Sequence, residues 1–249
     1  MSDAKGRLVG RVAALNRYPV KSMAGERLAE AEFRWTGMRG DREYGFVLAD
    51  RPNRFPWFTG RDLSEMVLHR PVAGAYAAAG LPVRVIAPDG AEQAIEDADL
   101  ADRLGVAVGR PVRLVQLSRG TYDAMPVSVV STASFAAVDA AHGGPVDPDR
   151  FRINVVVDGP ERDTEWRGHA LAFGSDGPVL AVTRPIARCT MITIDPRTGK
   201  RDAGVMRTVA RAFDNELGEY ASVLRPGTLR VGDEVTAAPL SIAAPAASG

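Results

Sequence analysis

The chain has 249 residues, 45% of them hydrophobic, with one cysteine and 31 Lys+Arg against 31 Asp+Glu; that length makes one large domain or two intimate ones, with a core that needs no staples. Zero formal charge excludes a nucleic-acid binder working through bulk electrostatics, and a single cysteine excludes internal disulfides and any all-cysteine metal cage. The chain has no uncharged apolar run of the ~18 residues a membrane helix needs, and charges break up the N-terminal MSDAKGRLVGRVAAL, so a cytoplasmic protein without a membrane span is expected.

In chain order, Val9–Leu15 reads as a strand leading into a Tyr18-Pro19-Val20-Lys21 loop. Arg27–Phe33 alternates apolar and polar residues, as a strand with one buried face does. Thr36–Asp41 is a turn region and Tyr44–Ala49 another strand. Leu63–Leu68 is a short helix with Leu63, Met66 and Val67 on one face, ending ahead of Pro71. Val83–Ala87 and Val112–Leu117 are strands, and the acidic Glu92–Asp102 between them is a solvated loop and helix.

The second half is better punctuated. Ser131 caps a helix running to about Ala141, with Phe135 and Val138 inward and Gly143-Gly144 as its stop. Phe151–Val157, Ala170–Phe173, Val179–Arg184 and Met191–Ile194 are strands, and Asp195-Pro196-Arg197-Thr198-Gly199 is a turn. Val205, Val209, Phe213 and Leu217 stand at helical spacing up to Gly218, and Leu229–Val235 is a last strand pair or bulged strand. The segment Ala237–Gly249 is small and apolar. The pattern predicts an α+β, β-rich fold with a barrel. Domains are expected over 1–117 and 118–238, with a disordered tail over 239–249.

Phosphate-loop, dinucleotide and nucleophile-elbow motifs are absent, and His69, His142 and His169 form no metal-spaced pair. Of the 31 basic residues 28 are arginines, a bias that makes each of the lysines, Lys21 among them, worth following. Cys189 follows Arg188 in a loop, and its residues leave two readings open. It is a small buried hydrophobe, or it is a thiolate favoured by nearby guanidinium charge and fit to be a nucleophile or soft-metal ligand.

Five words stand in order: Tyr18-Pro19-Val20-Lys21-Ser22, Gly40-Asp41-Arg42, Arg150-Phe151-Arg152-Ile153-Asn154-Val155-Val156-Val157, Glu165-Trp166, and Arg188-Cys189 followed by Asp195-Pro196-Arg197-Thr198-Gly199. Together they resemble the MOSC family, named for the C-terminal part of molybdenum cofactor sulfurase. The nearer likeness is to the branch of the mitochondrial amidoxime-reducing component and its bacterial relatives. The likeness runs from about residue 8 to about residue 236.

The resemblance implies a MOSC-type β-barrel with peripheral helices and a MOSC-associated N-terminal β-rich domain. It implies the molybdenum cofactor, molybdopterin with Mo, with Cys189 as metal ligand and catalytic residue. Lys21, Ser22 and Arg42 match positions that hold phosphate and pterin. Arg152 and Asn154, expected on one strand, face the cofactor, with Ser131 at the start of the preceding helix as a looser match. Arg188 is expected to favour the Cys189 thiolate. Pyridoxal phosphate binding is a further property the family brings. The implied function is reduction of N-hydroxylated or related N–O small molecules, with electrons from a separate protein of the ferredoxin, flavodoxin or cytochrome b5-type reductase kind. The alternatives are a carrier or sulfur relay using a Cys189 persulfide, and a binding module for another ligand. The loop Arg51–Gly60 is richer in aromatics than the family pattern, and no four-cysteine ferredoxin-like segment is present in these residues.

Overall fold

The computed structural model describes residues 6–51, 55–73, 83–117 and 119–240. The first half comprises β1 (Arg7–Arg17), β2 (Glu26–Leu28), β3 (Glu30–Arg34), β4 (Gly37–Met38), β5 (Tyr44–Leu48), β6 (Trp57–Phe58), β7 (Arg70–Ala73), β8 (Val83–Ile86), β9 (Glu92–Ala94), α1 (Ala98–Val108) and β10 (Val112–Gln116). The second comprises β11 (Val127–Ser131), α2 (Thr132–His142), β12 (Val155–Asp158), β13 (His169–Phe173), β14 (Val179–Ala187), α3 (Ala203–Ala212), β15 (Glu216–Arg225), β16 (Gly227–Arg230) and β17 (Glu234–Pro239).

Apolar residues two apart along a strand share one face, and here that face closes on itself. The order β12-β11-β15-β14-β13-β17-β1 returns from β1 to β12, giving a seven-stranded barrel with β2 added to β1. Val127 and Val129, Val155 and Val157, and Leu171 and Phe173 project into its interior together with Trp166. β11 and β12 run parallel, with α2 in the connection between them. Outside the barrel, Val138 of α2 and Val205 and Val209 of α3 pack with Phe151, Ile186 and Ile192. The sheets β10-β5-β6 and β7-β8-β9 enclose a separate core of Phe46, Phe58, Met66, Val85, Leu100 and Leu104. Chain order and spatial grouping differ: β1 belongs to the barrel, and β16 pairs with β3. Among the described residues no helix is long and apolar enough to cross a membrane.

Several local expectations are corrected. Phe151 closes a 3-10 turn, Pro148–Phe151, and Arg152 is left-handed (φ 54°), so the strand begins only at Val155. Met191–Ile194 is not a strand; Thr190–Thr193 is a 3-10 turn, because a four-residue apolar run fits either conformation. The last helix stops at Ala212, since Asp214 and Asn215 both take positive φ, and Leu217 already lies in β15. The Glu92–Asp102 segment contributes a strand, and α1 buries Leu100 and Leu104. Pro239, expected in the tail, is instead the last residue of β17, and residues 241–249 lie outside the described residues.

Candidate functional site

The loop after β1 is clamped to the turn before β5. Arg42 N donates to Tyr18 O (2.7 Å), Tyr18 N to Asp41 Oδ1 (2.8 Å), and Lys21 N to Tyr44 O (2.8 Å). Lys21 Nζ then donates to Thr121 O and Asp123 Oδ1, both at 2.7 Å, and lies 5.5 Å from the Trp57 ring centre. Burial holds the Lys21 amine below its ordinary pKa; Asp123 opposes this, and the charges of Arg42 and Arg152 add to it. Arg42 pairs with Asp41 and donates to Arg152 O (2.9 Å). Burial would lower its pKa, but Asp41, Tyr18 and Tyr122 together outweigh burial and keep it above the guanidinium norm.

Arg152 and Arg42 both lie over the buried Tyr18 ring, 4.3 and 4.8 Å from its centre. Burial pushes the Tyr18 hydroxyl up to about 12, and it pulls Arg152 down to about 10, with Arg42 adding repulsion. Arg152 Nη2 is buried and has no hydrogen-bond partner. A buried guanidinium nitrogen left open costs free energy unless something accepts from it, and an anion does so best. Asn154 is fully engaged: its Oδ1 accepts from Ser128 Oγ (2.8 Å) and Ser128 N (3.2 Å), and its Nδ2 donates to Asn16 O (3.2 Å).

Cys189 is exposed, at the start of the Thr190–Thr193 turn. Arg188 points the other way. Its Nε (2.8 Å) and Nη2 donate to Leu217 O, and its Nη1 donates to Phe151 O (2.8 Å). It is thus a bracket holding the cysteine loop, with burial pulling its pKa down to about 10. A Cβ at Gly218, whose φ is +77°, would stand 3.1 Å from Arg188 Nη2, so glycine is required both for the backbone angle and for the close approach. Asn215 completes the bracket: Arg188 N donates to Asn215 O, and Asn215 Nδ2 to Arg188 O, both at 2.8 Å.

These segments enclose a cleft of about 270 Å³. Six of its lining residues are cationic (Lys21, Arg42, Arg61, Arg150, Arg152, Arg188) against one carboxylate, Asp123. A second cleft of about 170 Å³ adjoins it and shares Arg150, Arg152 and Met191. Lys21, Ser22, Arg42, Arg152, Asn154, Arg188 and Cys189 all meet in the first cleft. Ser131 does not line it. It is fully buried, its Oγ accepting from Ala133 N (3.0 Å) as the cap of α2 and donating to Glu161 O. The serine on the cleft wall is Ser128, three residues earlier. Sequence reasoning also passed over Arg150 as a site residue, although it stands in the same word as Arg152. It is held by Asp195 Oδ2 (3.0 Å) and Thr193 O (2.8 Å). Backbone strain marks the site as well. Five described non-glycine residues have positive φ (Ser22, Arg42, Arg152, Asp214, Asn215); three line the cleft and Asn215 grips Arg188.

A profile of the MOSC N-terminal beta barrel domain matches residues 9–103, and one of the MOSC domain matches residues 116–236. The chain belongs to the MOSC family. Molybdenum cofactor sulfurase of Drosophila yakuba is 27% identical over 89% of this chain and 31% of its own length. That of Drosophila grimshawi is 34% identical over 50% of this chain and 17% of its own length. The chain therefore spans about a third or less of the length of these curated relatives. The solved structure of the YuaD protein from Bacillus subtilis superposes with a TM-score of 0.51, at 16% identity, over 94% of this chain and 98% of that one, a likeness of fold.

The donor set of this MOSC cleft fits the molybdenum–pterin cofactor on its own chemistry. A thiol, the soft ligand for such a metal, stands at the exposed end. A strongly basic wall with an unpartnered buried guanidinium nitrogen suits the anionic phosphate.

Proposed function

We propose that this chain is a molybdenum-cofactor-dependent oxidoreductase of the amidoxime-reducing branch, reducing N-hydroxylated or related N–O small molecules with electrons from a separate protein. The observation that carries this reading is Arg152 Nη2, buried and unpartnered in a six-cation cleft that opens at Cys189. The name of the relatives, molybdenum cofactor sulfurase, supports the same cofactor.

Cys189 would ligate the metal, and Lys21, Ser22, Arg42 and Arg152 would hold the phosphate and pterin. When bound, the group supplies two-electron oxygen-atom chemistry, converting an N-hydroxyl compound, two electrons and two protons to the amine and water. The chain's own part is orientation and electrostatics. Arg188 and Asn215 fix the loop that carries Cys189. Arg42 and Arg152, stacked on Tyr18, keep two guanidinium groups at a set spacing with no reorganisation. Pyridoxal phosphate suits the cleft less well. The one amine in its lining, Lys21 Nζ, already bonds Thr121 O and Asp123, and none remains for the aldehyde.

The test is reduction of an N-hydroxylated amidine by chain purified from a cofactor-making host, with reduced viologen as donor. Turnover by the wild type and its loss in Cys189→Ala are expected; full activity in that variant sinks the proposal. A second reading, a carrier or sulfur relay, draws on the exposure of Cys189 and on the relatives' name. Mass spectrometry separates the two, since a metal-free chain carrying about 32 Da of added sulfur on Cys189 supports the relay.

A further inference from the structure

The cations of the cleft are not equally engaged. Lys21 pairs with Asp123, Arg42 with Asp41 and Arg150 with Asp195, while Arg188 is engaged with carbonyls and Arg152 packs on Tyr18. Arg61 differs from all of them. It is exposed on the cleft rim and makes no ion pair among the described residues. The carboxylate beside it, Asp62, is occupied by Arg51 (2.7 Å) and by the amide of Thr59 (2.9 Å). The Arg61 guanidinium is nonetheless held in place. It lies 4.4 Å from the Phe55 ring centre, and its Nε donates to Thr59 Oγ1 (3.4 Å).

Its position relative to the cysteine is also fixed. A Cβ on Gly60 would stand 2.8 Å from Met191 Sδ, so the loop carrying Arg61 packs on the turn that Cys189 begins. Arg201 donates to Gly60 O (2.8 Å) and Arg61 O (3.3 Å), pinning the backbone that carries Arg61. A positioned, unneutralised guanidinium on the Cys189 side of a reaction cleft recognises a carboxylate or similar anion through paired N–H donors.

We propose that Arg61 is a specificity-determining residue: it selects substrates bearing a carboxylate, so the cleft prefers anionic N–O compounds to neutral ones. Only the chemical fate of the substrate rests on the reductase reading; the selectivity is a matter of binding. The experiment is calorimetric titration of the cofactor-loaded chain with benzamidoxime and with its 4-carboxy analogue, alongside molybdenum analysis of each variant. The carboxylate is expected to bind about tenfold tighter than the neutral compound, as one charge-assisted contact gives. The ratio of the two Kd values should fall to near one in Arg61→Gln, persist in part in Arg61→Lys, and shrink with added salt. Equal Kd values in the wild type, a preference that survives Arg61→Gln, no binding of either compound, or loss of molybdenum from that variant would overturn the assignment. Tighter binding of the carboxylate without reduction of either compound would defeat the reductase reading and leave Arg61 standing. Reduction of both with equal Kd would do the reverse.

Discussion

The barrel interior and the cleft beside it are built on opposite rules. Inside the barrel, Leu171, Phe173, Leu180 and Val182 are fully buried in a single apolar cluster that needs only volume and alternation. In the cleft, guanidinium groups are buried, three side chains sit on left-handed backbone, and one buried nitrogen has no partner. The first region holds the chain folded, and the second is held by it. The barrel gathers β1, β11, β12, β14 and β15 tightly enough that the segments between them can carry strain. The cleft thus lies where a rigid frame can support groups that would not assemble unaided.

Substitutions can break that contrast. The largest effect is expected in the barrel: Phe173→Ala should cost about 3–5 kcal/mol in denaturant unfolding while the folded fraction still takes up molybdenum. Arg188→Met should come next, at about 2–4 kcal/mol, because it strips the carbonyls of Phe151 and Leu217 of their donors. Unlike the barrel variant, it should also lose metal, since its loop carries Cys189. Arg152→Gly reverses the sign. Relief of a φ of 54° should leave the cofactor-free chain as stable as the wild type, or more stable by up to about 1 kcal/mol, while cofactor uptake fails.

The smallest effect concerns Asp195. Burial raises its pKa, but the amides of Arg197 and Thr198, with Arg150, outweigh that and hold it below the usual aspartate value. Its contribution is therefore present above the unfolded-chain pKa of about 4 and is lost as pH falls through the lower native one. Asp195→Asn should flatten the fall of Tm below about pH 4, by less than about 1 kcal/mol in all.

The two regions also differ in how far the sequence discloses them. Barrel strands follow from alternation where a buried face repeats every second residue, as at Leu171/Phe173, whereas β11, buried at every position, shows no alternation and is not legible as a strand in the chain. The cleft follows no period. Its words were legible by resemblance, but the placement of each side chain was not. Arg152 and Asn154 looked like strand mates and are a left-handed corner and a buried bracket. Arg188 looked like a charge beside the thiol, yet it turns inward to two carbonyls, which sequence adjacency cannot reveal. Ser131 reads correctly as a helix cap, and that capping is where its hydroxyl is engaged. Arg61 carried no signal at all, because its role depends on Gly60 packing against a residue 131 positions later, Met191.

The most direct test is the metal itself. The chain should be purified from a host that makes the molybdenum cofactor, and molybdenum and pterin measured per chain beside Arg152→Ala and Cys189→Ala. About one molybdenum per wild-type chain, with pterin lost from Arg152→Ala and metal lost from Cys189→Ala at unchanged Tm of the cofactor-free proteins, is the predicted result. A wild-type chain free of molybdenum and pterin, or variants that retain both, would contradict the account.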